Sequence, residues 1–208
     1  MVSSAAFWDK HAEGYSKQAV RNQADYDRKL ELTRGFLRPD MTVMEFGCGT
    51  GSTAIAHAPF VKHIHGYDVS GKMVEIAREK AKAVGLENAT FERASFEEMT
   101  APDGAYDAVL ALNILHLLKE RREALAKIRR MLKPEGLLVS STPCIVERLW
   151  YMMPILPIMQ AIGRAPHVGI FSIRKLREEI TGAGFEIEKE WIANKGNVLF
   201  AVARRTPN

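Results

Sequence analysis

Apolar and polar positions along this chain follow two spacings, and the switches between them divide it into helices and strands. Short, nearly continuous apolar runs at 42–46, 63–68, 90–94, 106–112 and 137–142 predict strands. The run at 106–112 is apolar on almost every position, as a central parallel strand covered on both faces must be. Between the runs the spacing lengthens to three and four. Residues 7–37 read as helical, with Leu30 and Phe36 as anchors and Pro39–Asp40 as the stop. A helix begins near Ser52 and ends near Ala58–Pro59. Another is capped by Ser70, runs through Met73, Ile76, Ala77 and Ala81, and closes at Gly85. Leu125, Ile128 and Leu132 form one face of a helix over 120–132, and Ser172 caps a last helix that Gly182 and Gly184 terminate. Residues 185–191 and 197–203 read as a terminal strand pair. The alternation of helix and strand predicts an α/β fold with both sheet faces covered.

One stretch breaks the pattern. Residues 144–169 hold Ile145, Val146, Leu149, Trp150, Tyr151, Met152, Met153, Ile155, Leu156, Ile158, Met159 and Ile162 with few charges. Pro154 and Pro157 interrupt it and Glu147–Arg148 sit near its start, so a membrane-spanning helix is not expected. An adaptable apolar lid and extra core or dimer packing are the two readings that this composition supports.

At 208 residues the expectation is a single domain with a full core, and 47% hydrophobic with 26% charged residues marks a globular chain. The net charge of +4 is mild, and basic residues interleave with acids, as in Glu120–Arg121–Arg122–Glu123. No nucleic-acid partner is expected from such a distribution. The two cysteines, Cys48 and Cys144, lie 96 residues apart and offer no metal-ligand spacing. The first ten residues lack a basic region followed by an apolar run, which predicts a cytoplasmic protein.

The chemistry concentrates where the first strand ends. Glu45 stands two residues before Gly47, and Gly47, Gly49 and Gly51 alternate with Cys48 and Thr50. Glycines serve where a backbone turns tightly and a ligand approaches the main chain. Asp68 closes the second strand 21 positions after Gly47, placed to accept hydrogen bonds from both hydroxyls of a ribose. Together they predict a nucleoside-bearing cofactor across the carboxyl ends of parallel strands. A dinucleotide loop would carry a third glycine three residues after the second; here Ser52 stands there. A carboxylate at Glu45 suits a ligand with an ammonium and a sulfonium better than a pyrophosphate, which seeks free amides at a helix N-terminus.

These residues, with Asp68, the run 106–110 leading to Asn113 and His116, and the segment 131–139, closely resemble the ordered motifs of the class I S-adenosylmethionine-dependent methyltransferases. The resemblance covers about 36–141. It implies a Rossmann-like, seven-stranded, mostly parallel sheet with an antiparallel last strand and helices on both faces. It implies S-adenosylmethionine as cofactor, with Glu45 at its methionine end and Cys48 as a loop residue that family members often carry. Ser95 stands where the family often has an acidic residue touching the adenine, and serine can accept that bond too. Asn113 follows the fourth strand beside the methionine portion, and Val69, Met73, Ala94 and Phe96 complete the expected cofactor-binding set. Tyr15 matches the tyrosine of the family's leading segment, and Trp8, His11 and Tyr26 share its helical cap, 5–38.

His116 is the candidate general base, weighed against packing beside the cofactor, where the family places histidines. Trp150, Tyr151 and His167 are candidates for the acceptor pocket under the 144–169 lid. The expected acceptor is a small, apolar or lipid-like molecule, as in the quinone-biosynthesis and phospholipid N-methyltransferase branches, with peripheral membrane contact as an extension. A nicotinamide-dependent reductase and a non-catalytic S-adenosylmethionine-binding protein are the alternatives. An RNA or protein methyltransferase would show an Asn/Asp-Pro-Pro-aromatic signature where 113–116 stand. No metal is expected.

Overall fold

In the computed structural model, which describes residues 4–20, 22–148, 151, 155–161 and 165–207, seven strands form one sheet in the order β3-β2-β1-β4-β5-β7-β6. The strands are β1 (Thr42–Phe46), β2 (His63–Asp68), β3 (Ala89–Arg93), β4 (Tyr106–Leu112), β5 (Leu132–Pro143), β6 (Phe185–Ala193) and β7 (Val198–Arg205). Pairings from β3 to β5 are parallel, and β7 runs antiparallel to both of its neighbours. The chain steps outward from β1 in one direction and from β4 in the other. A crevice therefore opens at the carboxyl ends of β1 and β4, where the strand order reverses.

Side-chain alternation divides the core in two. Met44 and Phe46 of β1 face one side and pack with α5 (Arg121–Met131) and α8 (Ile173–Gly182) through Leu125, Ile128, Leu176 and Ile180. Val43 faces the other side, against α3 (Ser52–His57) and α4 (Gly71–Ala83) through Ala54, Val74, Ala77 and Ala81. Each large aliphatic side chain buried this way contributes about 1.5–3 kcal/mol. Asp107 fastens the lower end of β4: its carboxylate accepts from the Thr42 amide at 2.8 Å and from Lys133 Nζ at 2.8 and 2.9 Å.

The strands at 42–46, 63–68 and 106–112 stand where the pattern puts them. Two elements differ. The amino-terminal helical stretch divides into α1 (Ser4–Lys17) and α2 (Gln23–Arg34), because the Asn22 side chain caps α2 by accepting from the Asp25 amide at 3.1 Å. The fifth strand starts at Leu132 rather than 137, since Leu132 pairs with Tyr106 before a register shift. Within it Glu135 has φ +62°. The segment after β5 contributes α6 (Ile145–Arg148) and α7 (Leu156–Ala161). Cys144, Ile145 and Leu156 are buried, whereas Val146, Tyr151, Ile155 and Ile158 are exposed. Leu149, Trp150, Met152, Met153, Pro154 and Ile162 lie outside the described residues. Among the described residues no helix is long and apolar enough to cross a membrane.

Gly51 joins β1 to α3 under two constraints at once. Its φ is +74°, and a Cβ there would stand 2.7 Å from Ala77 Cβ and 3.0 Å from the Phe91 ring. Left-handed strain and overpacking each cost about 1–3 kcal/mol, so Gly51→Ala should destabilise the fold by about 2–6 kcal/mol. Urea denaturation checks this, and an unchanged midpoint would contradict the packing described.

Candidate functional site

A cleft of about 1660 Å³ opens over the carboxyl ends of β1, β2, β4 and β5. Its floor is the loop after β1. The Cys48 amide donates to the Tyr67 carbonyl at 3.0 Å and the Gly51 amide to the Cys48 carbonyl at 3.0 Å, so the chain turns back tightly. Gly47, Gly49 and Gly51 have φ of +67°, +53° and +74°. Their neighbourhoods differ. A Cβ on Gly47 would meet the Ile114 side chain at 2.8 Å, and one on Gly51 would meet Ala77. A Cβ on Gly49 would meet nothing nearer than the Tyr15 ring at 3.9 Å, so it would fill open cleft. Gly47 and Gly49 line the cleft; Gly51 does not and serves packing.

Asp68 fixes this loop. Its Oδ2 accepts from the Gly49 amide and its Oδ1 from the Ser70 amide, both at 2.9 Å. Burial pushes its pKa up, against the pull of these two amides. A carboxylate oxygen that holds one amide keeps capacity for another donor. Glu45 is 3% exposed, and its Oε2 has no hydrogen-bond partner among the described residues. Burial raises its pKa to about 8, with the Ala54 amide lowering it and the Asp68 charge raising it. A buried carboxylate without a cation is costly; Glu45 lines the cleft, which gives it the means to pair with an ammonium.

Val69, Met73, Ser95, Phe96 and Asn113 also line the cleft, whereas Ala94 does not. Met73 is buried, its amide donating to the capping Ser70 Oγ at 3.1 Å. Ser95 and Glu98 bond reciprocally, amide to side chain, at 3.1 and 3.2 Å. Phe96 packs edge-on against Phe46 with ring centres 4.7 Å apart. Asn113 has φ +57°, a conformation asparagine tolerates better than most residues, and its amide donates to the Ser141 carbonyl at 2.7 Å. Cys48 is buried, and burial together with Glu45 and Asp68 holds its thiol well above the usual range, so it packs rather than reacts.

His116 also lines the cleft, on a single turn after β4. Burial lowers its pKa to about 4, and Nδ1 has no partner among the described residues. The ring is neutral at pH 7, a weak base with a free nitrogen. Its carbonyl accepts from the Gly169 amide at 2.7 Å, tying the returning 144–169 segment to the site. From that segment Gln160, Ala165, Pro166, His167 and Val168 line the cleft; Tyr151 is exposed and does not.

Across the cleft stand Trp8 and Tyr15 of α1 and Tyr26 of α2. Desolvation, Glu45 and Asp68 raise the Tyr15 pKa. His11 does not line the cleft, and its Nδ1 lies 2.7 Å from the Phe7 carbonyl oxygen one turn back. The residue order gave no sign of three further members. Asp9 reaches the start of α4, with Oδ1 2.6 Å from Ser70 Oγ. His57 is fully buried at the cleft wall, with both ring nitrogens unpartnered among the described residues and its pKa lowered by burial to about 4. Ser141 adds a buried hydroxyl, unpartnered among the described residues. None belongs to a local motif, so only the fold brings them here. No group of three or more metal-ligating side chains occurs among the described residues.

Comparison with known proteins agrees with this geometry. Residues 43–136 match the family model described as a methyltransferase domain. The uncharacterised methyltransferase YcgJ of Bacillus subtilis is 30% identical over 129 residues, covering 62% of this chain and 51% of the relative. The 27-O-demethylrifamycin SV methyltransferase of Amycolatopsis mediterranei is 29% identical over 154 residues, covering 73% of this chain and 56% of that protein. The chain thus spans about half the length of these two relatives. Among solved structures, the [4+2]-cyclase SpnF superposes with a TM-score of 0.76 at 21% identity, over 92% of this chain and 86% of its own. At that identity the likeness shows the fold.

The Glu45 carboxyl gives a pH signature. Its pKa in the folded protein lies above the ordinary 4.5, so its contribution to stability is complete below pH 4.5 and is lost as pH rises through about 8. Glu45→Gln, neutral throughout, should therefore gain in urea midpoint relative to wild type between pH 5 and pH 8. A difference that stays flat over that range would mean the carboxyl is ionised and satisfied already.

Proposed function

As the chain belongs to the class I S-adenosylmethionine-dependent methyltransferases, we propose that it transfers the methyl group of that cofactor to a small, apolar or lipid-like acceptor. The observation that carries the cofactor half is the open cradle at Gly49, held by Asp68, in a cleft that Glu45 also lines with an Oε2 that has no partner among the described residues. When bound, the cofactor supplies a methyl group activated by its sulfonium. What the chain has to supply is alignment and exclusion of water.

Its residues are suited to that. Asp68 has acceptor capacity left for ribose hydroxyls while its two amide bonds keep the loop rigid. Glu45, already desolvated, would ionise against an ammonium and hold the methionine end. Tyr15 lies over Gly49 and closes the mouth of the cradle. On the acceptor side, Ile114, Leu117, Leu118, Pro166 and Val168 make an apolar wall beside His116. Neutral His116, which lines the cleft, can accept a hydrogen bond from an acceptor O–H or N–H and so point the nucleophile. Its low pKa suits orientation better than full proton removal. The apolar wall supports the apolar acceptor, and the exposed Ile155 and Ile158 support peripheral contact with a lipid surface while the acceptor is collected.

Turnover tests this reading. Protein given methyl-labelled S-adenosylmethionine and fractionated small metabolites should produce S-adenosylhomocysteine and transfer label to an apolar fraction. Val168→Asn should raise the acceptor KM about tenfold, with cofactor affinity changed less than about twofold. Label appearing only in protein or RNA, or a Val168 variant weakened in cofactor binding alone, would contradict the assignment.

A further inference from the structure

The helix that covers the cofactor cleft has little to hold it. Of the 14 residues of α1 only Ala12 is buried, while Phe7, Trp8 and Tyr15 turn toward the cleft. A segment with so little buried surface opens locally at low cost. Its charged anchor is Asp9. Asp9 Oδ1 accepts from Ser70 Oγ at 2.6 Å and from the Lys72 amide at 3.1 Å, at the first turn of α4. Ser70 Oγ accepts in turn from the Met73 amide, so its proton goes to Asp9. A carboxylate in this position meets free amides and the positive end of the helix dipole.

The contact leads directly to the cofactor loop. Ser70 uses its own amide to bond Asp68 Oδ1, and Asp68 Oδ2 takes the Gly49 amide. A continuous chain of hydrogen bonds therefore links α1 to the glycine loop through Asp9, Ser70 and Asp68. The far end of the same helix reaches that loop directly, since the Tyr15 ring lies 3.9 Å from where a Gly49 Cβ would be. Asp9 and Asp68 also repel, the Asp9 charge adding to the rise in the Asp68 pKa. The clasp therefore depends on Ser70, whose hydroxyl serves Asp9 and whose amide serves Asp68, and on the Lys72 amide.

We propose that Asp9 is a positioning residue, a clasp that holds α1 shut over the cofactor and couples its closure to the Asp68–Gly49 contact. Closure then slows release of the cofactor product rather than shaping its entry. This extends the S-adenosylmethionine reading of the cleft and rests on it.

Two measurements on the full chain test the clasp. In ligand-free protein, Asp9→Ala should speed hydrogen exchange of α1 amides about fivefold to tenfold, the scale of a lost helix-capping contact, with β1 and β4 unchanged. Asp9→Asn, which keeps an acceptor oxygen without the charge, should fall between. By stopped-flow fluorescence, release of S-adenosylhomocysteine should quicken by a similar factor while the association rate stays within about twofold. Unchanged α1 exchange and an unchanged release rate in Asp9→Ala would overturn the clasp. Faster α1 exchange in a protein whose wild type does not bind S-adenosylhomocysteine would uphold the clasp and overturn the cofactor assignment beneath it.

Discussion

The Asp68 carboxylate is the point on which the site depends. It ends β2, yet its two oxygens bind the Gly49 amide in the loop after β1 and the Ser70 amide at the start of α4. One side chain thereby sets the spacing between two adjacent parallel strands at their carboxyl ends. It also holds a glycine in the left-handed conformation that points no side chain into the cleft. The rest of the sheet serves this junction. The parallel register of β1 with β2 brings Phe46 level with Tyr67, so the loop leaves at the height where Asp68 can reach it. Gly51 then lets α3 and α4 approach closely enough to keep both helix starts at the same end.

Charge gives this geometry its selectivity. Glu45, Asp68 and Asp9 gather around one loop, and Glu45 and Asp68 are both buried. Each raises the proton affinity of a neighbour: Asp68 acts on Glu45, and Asp9 on Asp68. Asp9 and Asp68 supply the negative field, while Glu45 is held protonated by burial and ionises against a cation. The loop therefore disfavours a pyrophosphate and favours a ligand with positive charge at one end and ribose hydroxyls at the other. Aromatic rings from α1 and α2 close the opposite side and lower the local dielectric, which strengthens both effects. The side of the cleft lined by Ile114, Leu117, Leu118, Pro166 and Val168 is different in kind. It is apolar, with neutral His116 supplying a buried polar atom and a backbone hydrogen bond tying the 144–169 segment to it.

The residue order announces some of this and hides the rest, for physical reasons. Alternating glycines, a strand-end aspartate and apolar strands are local patterns, because the turn and the pleat that require them are local. The limits of β1, β2 and β4 follow from those patterns. Gly51 shows the boundary of such reading: the same motif position reads as a ligand contact, and only the packed structure reveals Ala77 beneath it. Asp9, His57 and Ser141 were hidden because each is brought to its place by tertiary packing across long stretches of chain. The early start of β5 was hidden because Leu132 looks like the end of a helix stripe, and a strand partner 26 residues away decides otherwise.

Calorimetric titration of the purified chain with S-adenosylhomocysteine and, separately, with NADH addresses the central claim most directly. A site built on Gly49, Asp68 and Glu45 should bind one S-adenosylhomocysteine per chain and NADH at least about a hundredfold more weakly, a difference of roughly 2.7 kcal/mol. Tight binding of NADH with none of S-adenosylhomocysteine would contradict it.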